Sequence, residues 1–283
     1  MVNIRNLDPS ASPLDYYGAE LRRLREEAGL NQSQLGDVVY CTGSLIGQIE
    51  TAKKVPTRRF SEQLDAALMT GGTFSRLVGL VLKSQLPAWF QPYADMEARA
   101  TYIYSFQAGV VDGLLQTPEY AREVLRTRLE GAELDAKVAA RIERQRVLER
   151  DTPPLCWVVM TEAVLRQEVG GREVMRAQLA HLLLMQEREW VKIQILPFAV
   201  GAHAGMPGSF NLLRFDDDPD IVYTEDFVQG HMTANPSAVR EGFLRYDHLR
   251  AAALSVEESA QLIARIMEEQ YGDQPEPDGR ALA

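Results

Sequence analysis

The chain has 283 residues, with 30 Lys and Arg against 40 Asp and Glu, a formal net charge of −10 and a sequence pI near 5.0. Apolar residues at 46% and charged residues at 25% exclude a disordered, collagen-like or disulfide-stapled chain, and the length favours about two domains. The acidic balance excludes coating of nucleic acid by bulk charge, because phosphate binding needs local positive potential.

In chain order, Ser12 and Pro13 open a first helix, whose apolar positions Leu14, Tyr17, Leu21, Leu24 and Ala28 recur every three or four residues. Gly29 ends it as a left-handed residue would. Further short helices are predicted over 32–39, 43–51, 57–69 and 73–85, with Pro87 closing the last. The rest interleaves helices with β-rich runs. Strands are expected over 101–106, 155–161, 191–196, 210–215 and 221–224, where β-branched and aromatic residues concentrate. Helices are expected over 118–129, 134–150 and 172–188. Two more follow, one opened by Asn235-Pro236 and one by the capping box of Ser255 and Glu258. The tail from Gly272 is polar and rich in Pro and Gly, so disorder is expected there.

The two cysteines, Cys41 and Cys156, have neither a paired spacing nor a His at zinc-ligand spacing. The N-terminus lacks the apolar run of a secretory signal, and no apolar stretch is long enough to span a bilayer. A cytoplasmic location with no membrane partner is expected.

The informative stretch runs from Leu21 to Met69. Leu21, Leu24, Leu30, Leu35, Val38, Val39, Leu45, Ile46, Ile49, Leu64 and Leu68 fit several short helices around one small core. The helix over 32–39, a short turn and the helix through Ile46 and Ile49 have helix-turn-helix spacing. The second of those helices would enter the major groove, whose width admits an α-helix. The stretch resembles the Xre/Cro-type helix-turn-helix family, whose members carry L-R-x-x-x-G-L-(S/N)-Q-x-x-L and then I-x-x-I-E-x-G-x-x-x-P. Leu24-Arg25, Gly29-Leu30-Asn31-Gln32 and Leu35 match the first element, and Ile46, Ile49-Glu50 and Pro56 match the second. Two positions depart, each able to shift the turn or the helix end slightly. Tyr40 stands where the turn usually has Gly, and Ala52 where Gly usually follows the Glu.

The resemblance implies roles position by position. Thr42, Gly43, Ser44, Gly47 and Gln48 would lie on the outward face that reads bases; Gln48 suits adenine, and the glycines make direct readout sparse. Gln32 would meet a phosphate at the start of its helix, and Lys53, Lys54, Arg58 and Arg59 would grip the DNA backbone. Arg25 and Glu50 match a structural ion pair tying the first helix to the recognition helix.

A second resemblance covers most of the remainder. It rests on Ala88-Trp89-Phe90, the run Gly113-Leu114-Leu115-Gln116-Thr117-Pro118-Glu119-Tyr120-Ala121 and Arg141-Ile142-Glu143-Arg144-Gln145-Arg146. It rests also on Gly170-Gly171 with Gln178-Leu179, Ile195-Leu196-Pro197-Phe198 and Val222-Tyr223-Thr224-Glu225. These are similar to the C-terminal domain of unknown function in actinobacterial, Xre-type, antitoxin-like regulators. That family implies a regulator whose C-terminal domain dimerises, binds a small protein encoded by a neighbouring gene, or senses a ligand. The expected fold is an all-α, lambda-repressor-like domain over 1–72, a connecting helix or linker over 73–87, an α+β domain over 88–271 and a disordered tail over 272–283.

Other candidates have plainer readings. The run 201–208 is glycine-rich but lacks the Gly-Lys-Ser/Thr ending of a phosphate loop, so an inter-strand loop is expected. The acidic run 216–220 lacks the Gly and distal Glu of a calcium loop and reads as a hairpin turn. His181, His203, His231 and His248 have no metal-ligand spacing, and His181 reads as a core-edge residue. Tyr102, Tyr104 and Phe106 read as one strand face. No catalytic constellation, metal site or cofactor is expected, so the chain reads as a DNA-binding regulator acting as a homodimer on double-stranded DNA, and not as an enzyme. Residues 1–70 hold 8 basic and 9 acidic residues. The acidity therefore lies mainly in the larger domain, and KKVPTRR remains a local basic patch.

Overall fold

The computed structural model describes residues 7–272, which form two compact units. One comprises the chain up to Gln91 together with Leu125–Arg144; the other comprises Pro92–Val124 and the chain from Gln145. The tail expected to be disordered lies, from Asp273 onward, outside the described residues.

The first unit begins with α1 (Pro13–Glu27), α2 (Gln32–Val38), α3 (Gly43–Glu50), α4 (Arg58–Leu68) and α5 (Thr73–Ser84). Side chains close the amino ends of the first four. Ser12, Thr42 and Thr57 accept the amides of Asp15, Leu45 and Phe60, and Asn31 and Gln34 form a reciprocal capping box. The fifth helix is capped at a distance. The Asp65 carboxylate accepts the amides of Phe74 and Ser75, each at 2.8 Å, along with the hydroxyls of Ser75 and Thr70. Burial opposes its ionisation, yet these hydrogen bonds hold the Asp65 pKa below the ordinary carboxylate value.

Tyr17, Leu21, Leu35, Val39, Ile46, Ile49, Phe60, Leu64, Phe74, Val78, Val81 and Leu82 form one core. Each such buried side chain contributes about 1.5–3 kcal/mol relative to exposure. Four of the twelve lie on α5, so the helix expected over 73–85 is present and completes the helical core. Two short helices, α6 (Gln91–Glu97) and α7 (Pro118–Leu125), precede α8 (Gly131–Arg144), which joins this same unit. Ala139 of α8 packs against the core, and Lys137 Nζ donates to the Gln85 carbonyl at 2.5 Å. The expected helix over 134–150 thus ends at Arg144, and Gln145–Glu149 is a 3-10 turn in the second unit.

The second unit is built on a six-stranded sheet of β1 (Tyr102–Gln107), β2 (Leu155–Thr161), β3 (Val191–Leu196), β4 (Phe210–Arg214), β5 (Ile221–Glu225) and β6 (Gly230–Thr233). The order is β3-β2-β1-β4-β5-β6, with β1, β2 and β3 parallel and the remaining pairs antiparallel. The parallel crossover from β2 to β3 carries α9 (Glu162–Arg166) and α10 (Arg172–Gln186). The chain then closes with α11 (Pro236–Ala252) and α12 (Val256–Tyr271), capped by Asn235 and by the Ser255–Glu258 box. Tyr104 and Phe106 do share one strand face, packed with Leu212 and with Tyr246 and Leu249 of α11. The Tyr246 hydroxyl donates to the Trp157 carbonyl at 2.7 Å.

The plainer readings hold for the loops. The run 216–220 turns between β4 and β5, with the Asp220 carboxylate accepting from Arg214 and the Phe215 amide. The run 201–208 leads into β4, and a Cβ at Gly205 would fall 2.2 Å from the Phe106 ring. That glycine therefore serves close packing. His181 is half-buried on α10, where burial, aided by the Arg188 charge, lowers its pKa.

Gly29 adopts the expected left-handed backbone at φ +70°, but Tyr40 and Ala52 also do, at +57° and +55°. The turn geometry is retained although glycine is absent, at a conformational cost of about 1 kcal/mol or more per residue. Ala52→Gly should therefore stabilise the protein by about 0.5–1 kcal/mol in urea unfolding, net of the greater freedom glycine has when unfolded; a lower midpoint would show that the Ala52 methyl does more than strain the turn.

Candidate nucleic-acid interface

Small residues let α2 and α3 approach closely. A Cβ on Gly36 would sit 2.7 Å from the Cys41 carbonyl oxygen, one on Gly43 2.8 Å from Ser33 Oγ, and one on Gly47 3.0 Å from Gln32 Oε1. Gly43, Ile46, Gly47 and Glu50 follow i, i+3, i+4, i+7 spacing and form the inner face of α3. Ile46 and Glu50 are fully buried, whereas Ser44 and Gln48 are exposed.

Glu50 anchors this arrangement. Its carboxylate is wholly buried and accepts from Arg25 Nε at 2.5 Å and Arg25 Nη2 at 3.1 Å. Gln32 Nε2 donates to the same carboxylate at 2.8 Å, and Arg22 approaches to 3.7 Å. Arg22 also donates to the Glu50 carbonyl, and Arg25 to that of Leu30. The hydrogen bond to Glu50 raises the Arg25 pKa above the ordinary guanidinium value, with burial acting against it. One carboxylate thus joins α1, α2 and α3, and the expected Arg25–Glu50 pair is present.

The remaining predicted positions divide. Thr42, Ser44 and Gln48 lie exposed at the start and along the outer side of α3. The Thr42 hydroxyl oxygen also accepts the Leu45 amide at 3.2 Å, which leaves its proton available to donate. Gly43 and Gly47, expected to face outward, instead face α2, because bulk there would collide with Ser33 and Gln32. The Gln32 side chain, expected at a phosphate, donates through Nε2 to Glu50.

The basic patch divides as well. Lys53 and Arg59 are exposed. Lys54 Nζ lies 2.5 Å from Asp135 Oδ2, and Arg58 pairs with Glu143 through both Nη2 and Nε while also reaching the Ser75 carbonyl. The Glu143 hydrogen bond raises the Arg58 pKa, against burial. Asp135 and Glu143 were not legible as site residues, since nothing in the sequence couples α8 to a loop some 80 residues earlier. Their one signal is shared spacing with Ala139, which places all three on one helix face.

Residues 17–74 match the model of a helix-turn-helix domain. Residues 90–265 match a domain of unknown function (DUF5753), which spans more than half of the chain. The chain belongs to the DUF5753 family. No curated protein and no solved structure matches it. The DUF5753 match includes α8, yet that helix packs in the same unit as the helix-turn-helix domain. Among the described residues, no group of three or more His, Cys, Asp or Glu is placed to hold a metal ion, and no helix is long and apolar enough to cross a membrane.

Glu50→Ala leaves the buried Arg25 with only the exposed Glu26 carboxylate at 3.3 Å, so urea unfolding should show a loss of about 3–5 kcal/mol. A double replacement with apolar residues, Arg25→Met with Glu50→Leu, should recover most of that loss. Failure of the double variant to improve on Glu50→Ala would locate the defect outside the ion pair.

Proposed function

We propose that this DUF5753 protein is a sequence-specific transcriptional regulator of the Xre type that binds an inverted-repeat operator as a homodimer. The observation that carries this reading is the outer side of α3, where Ser44 and Gln48 stand exposed while Glu50 fixes the opposite side. Gln48 can pair bidentately with adenine and Ser44 can donate or accept at either base type. Lys53 and Arg59 supply backbone contacts beside them.

A single recognition helix reads few bases, so specificity calls for two copies with their α3 helices about 34 Å apart, one turn of DNA. The sheet-bearing unit offers a surface for protein contact. The β5–β6 hairpin leaves Phe227 84% exposed and Val228 64% exposed, beside the edge strand β6 and Met232. That surface supports dimerisation, and it equally supports the antitoxin-like alternative in which a small partner protein docks there. Regulation, and not catalysis, is the role assigned.

Base and backbone contacts separate in a binding titration across salt concentrations. Gln48→Ala should cost about 1–3 kcal/mol on the preferred operator and relax preference at one base pair. Lys53→Ala should weaken binding to every duplex and lower the log–log salt slope by about 1. Equal affinity of the unmodified chain for a selected operator and for scrambled DNA would refute sequence-specific regulation.

A further inference from the structure

Two of the four cations beside the recognition helix are held by carboxylates. Lys54 and Arg58 are four residues apart, and their partners Asp135 and Glu143 are eight apart, on the same face of α8 as Ala139. Ala139 packs into the helical core between the two pairs. Lys137 is fixed on the Gln85 carbonyl, and the Arg144 guanidinium lies 5.0 Å from the Phe90 ring centroid. This helix is therefore docked by apolar, polar and ionic contacts, with its carboxylates where DNA phosphates would otherwise meet Lys54 and Arg58.

We propose that α8 is an internal competitor for the DNA backbone: Asp135 and Glu143 occupy Lys54 and Arg58 in place of phosphate, and their release strengthens DNA binding. The inference rests on the DNA-binding reading above and concerns the regulation of that same interface. With the pairs closed, KKVPTRR presents Lys53 and Arg59 alone, and two carboxylates stand beside the patch. With them open, four cations are available. Both pairs are partly exposed, at 35% and 35% for Lys54 and Asp135 and 28% and 20% for Arg58 and Glu143. The Lys54–Asp135 pair is a single, partly exposed contact, weak enough for phosphate to displace; the bidentate Arg58–Glu143 pair yields to a phosphate that takes the same two donors. The helix belongs to the DUF5753 match and is joined at both ends, at Val124–Leu125 and Arg144–Gln145, to the sheet-bearing unit. A ligand or protein that moves those joints would pull the carboxylates away, so the state of the larger domain would set the charge offered to DNA.

The test uses the full chain with Asp135→Asn and Glu143→Gln, titrated by fluorescence anisotropy against a selected operator and a scrambled duplex across salt concentrations. Affinity for both duplexes should rise about three- to tenfold, and the log–log salt slope should steepen by about 2 as two more cations engage phosphates. A control with the same change in charge, Glu130→Gln with Glu133→Gln, alters exposed carboxylates at the start of α8 and should move both quantities much less. Equal effects in the two variants, or an unchanged or shallower slope in the first, would overturn the proposal while leaving the DNA-binding reading intact. If neither the unmodified chain nor the variants bind any duplex, the DNA-binding reading falls and the proposal falls with it. Asp135→Asn alone should give about half the change in slope, and it serves if the double variant melts early by circular dichroism.

Discussion

The buried carboxylate of Glu50 is the constraint on which the N-terminal unit depends. An ionised carboxylate withdrawn from water costs several kcal/mol unless its oxygens are fully engaged. Here Arg25 takes both oxygens, Gln32 takes one and Arg22 stands close by, so the cost is offset only when α1, α2 and α3 are all in place. Any slip of α3 along or about its axis would break these hydrogen bonds. The outward direction of Ser44 and Gln48 is consequently set by a residue they never touch. Small residues set the complementary limit: Gly36, Gly43 and Gly47 fix how near α2 and α3 can come, and the carboxylate cluster fixes their rotation.

The boundary between the two compact units departs from that between the two sequence matches. The helix-turn-helix match ends at residue 74, yet the core it needs extends through α5, with Phe74, Val78, Val81 and Leu82 all buried. It extends further to α8, which arrives from within the DUF5753 stretch. A small helical domain gains from such additions, because a short chain buries a lower share of its surface. The same additions place part of one family's sequence within the other's fold. α8 thus lies within the DUF5753 match while packing in the unit of the helix-turn-helix domain.

Local rules made much of this legible from the sequence. The caps at Ser12, Asn235 and Ser255, the strand over 155–161 and the Arg25–Glu50 pair all depend on neighbours or on a fixed motif. The motif resemblance implies that Gly43 and Gly47 face outward, whereas their helical spacing with Ile46 and Glu50 turns them toward α2. Elsewhere distant packing decides. The partners of Lys54 and Arg58 lie too far along the chain for any local pattern to reveal. Strand β6, with Gly230, His231, Met232 and Thr233, carries a weak β signal and exists through its pairing with β5. At Tyr40 and Ala52 the surrounding helices impose a left-handed backbone that neither residue would choose alone.

The proposed function requires α3 to be the surface that meets bases. Amide chemical-shift mapping of isotope-labelled protein, titrated with an operator obtained by selection from random duplexes, tests it most directly. The largest shifts should fall on Thr42, Ser44 and Gln48, with secondary shifts at Lys53 and Arg59. Largest shifts confined to the sheet-bearing unit, with α3 unchanged, would contradict it.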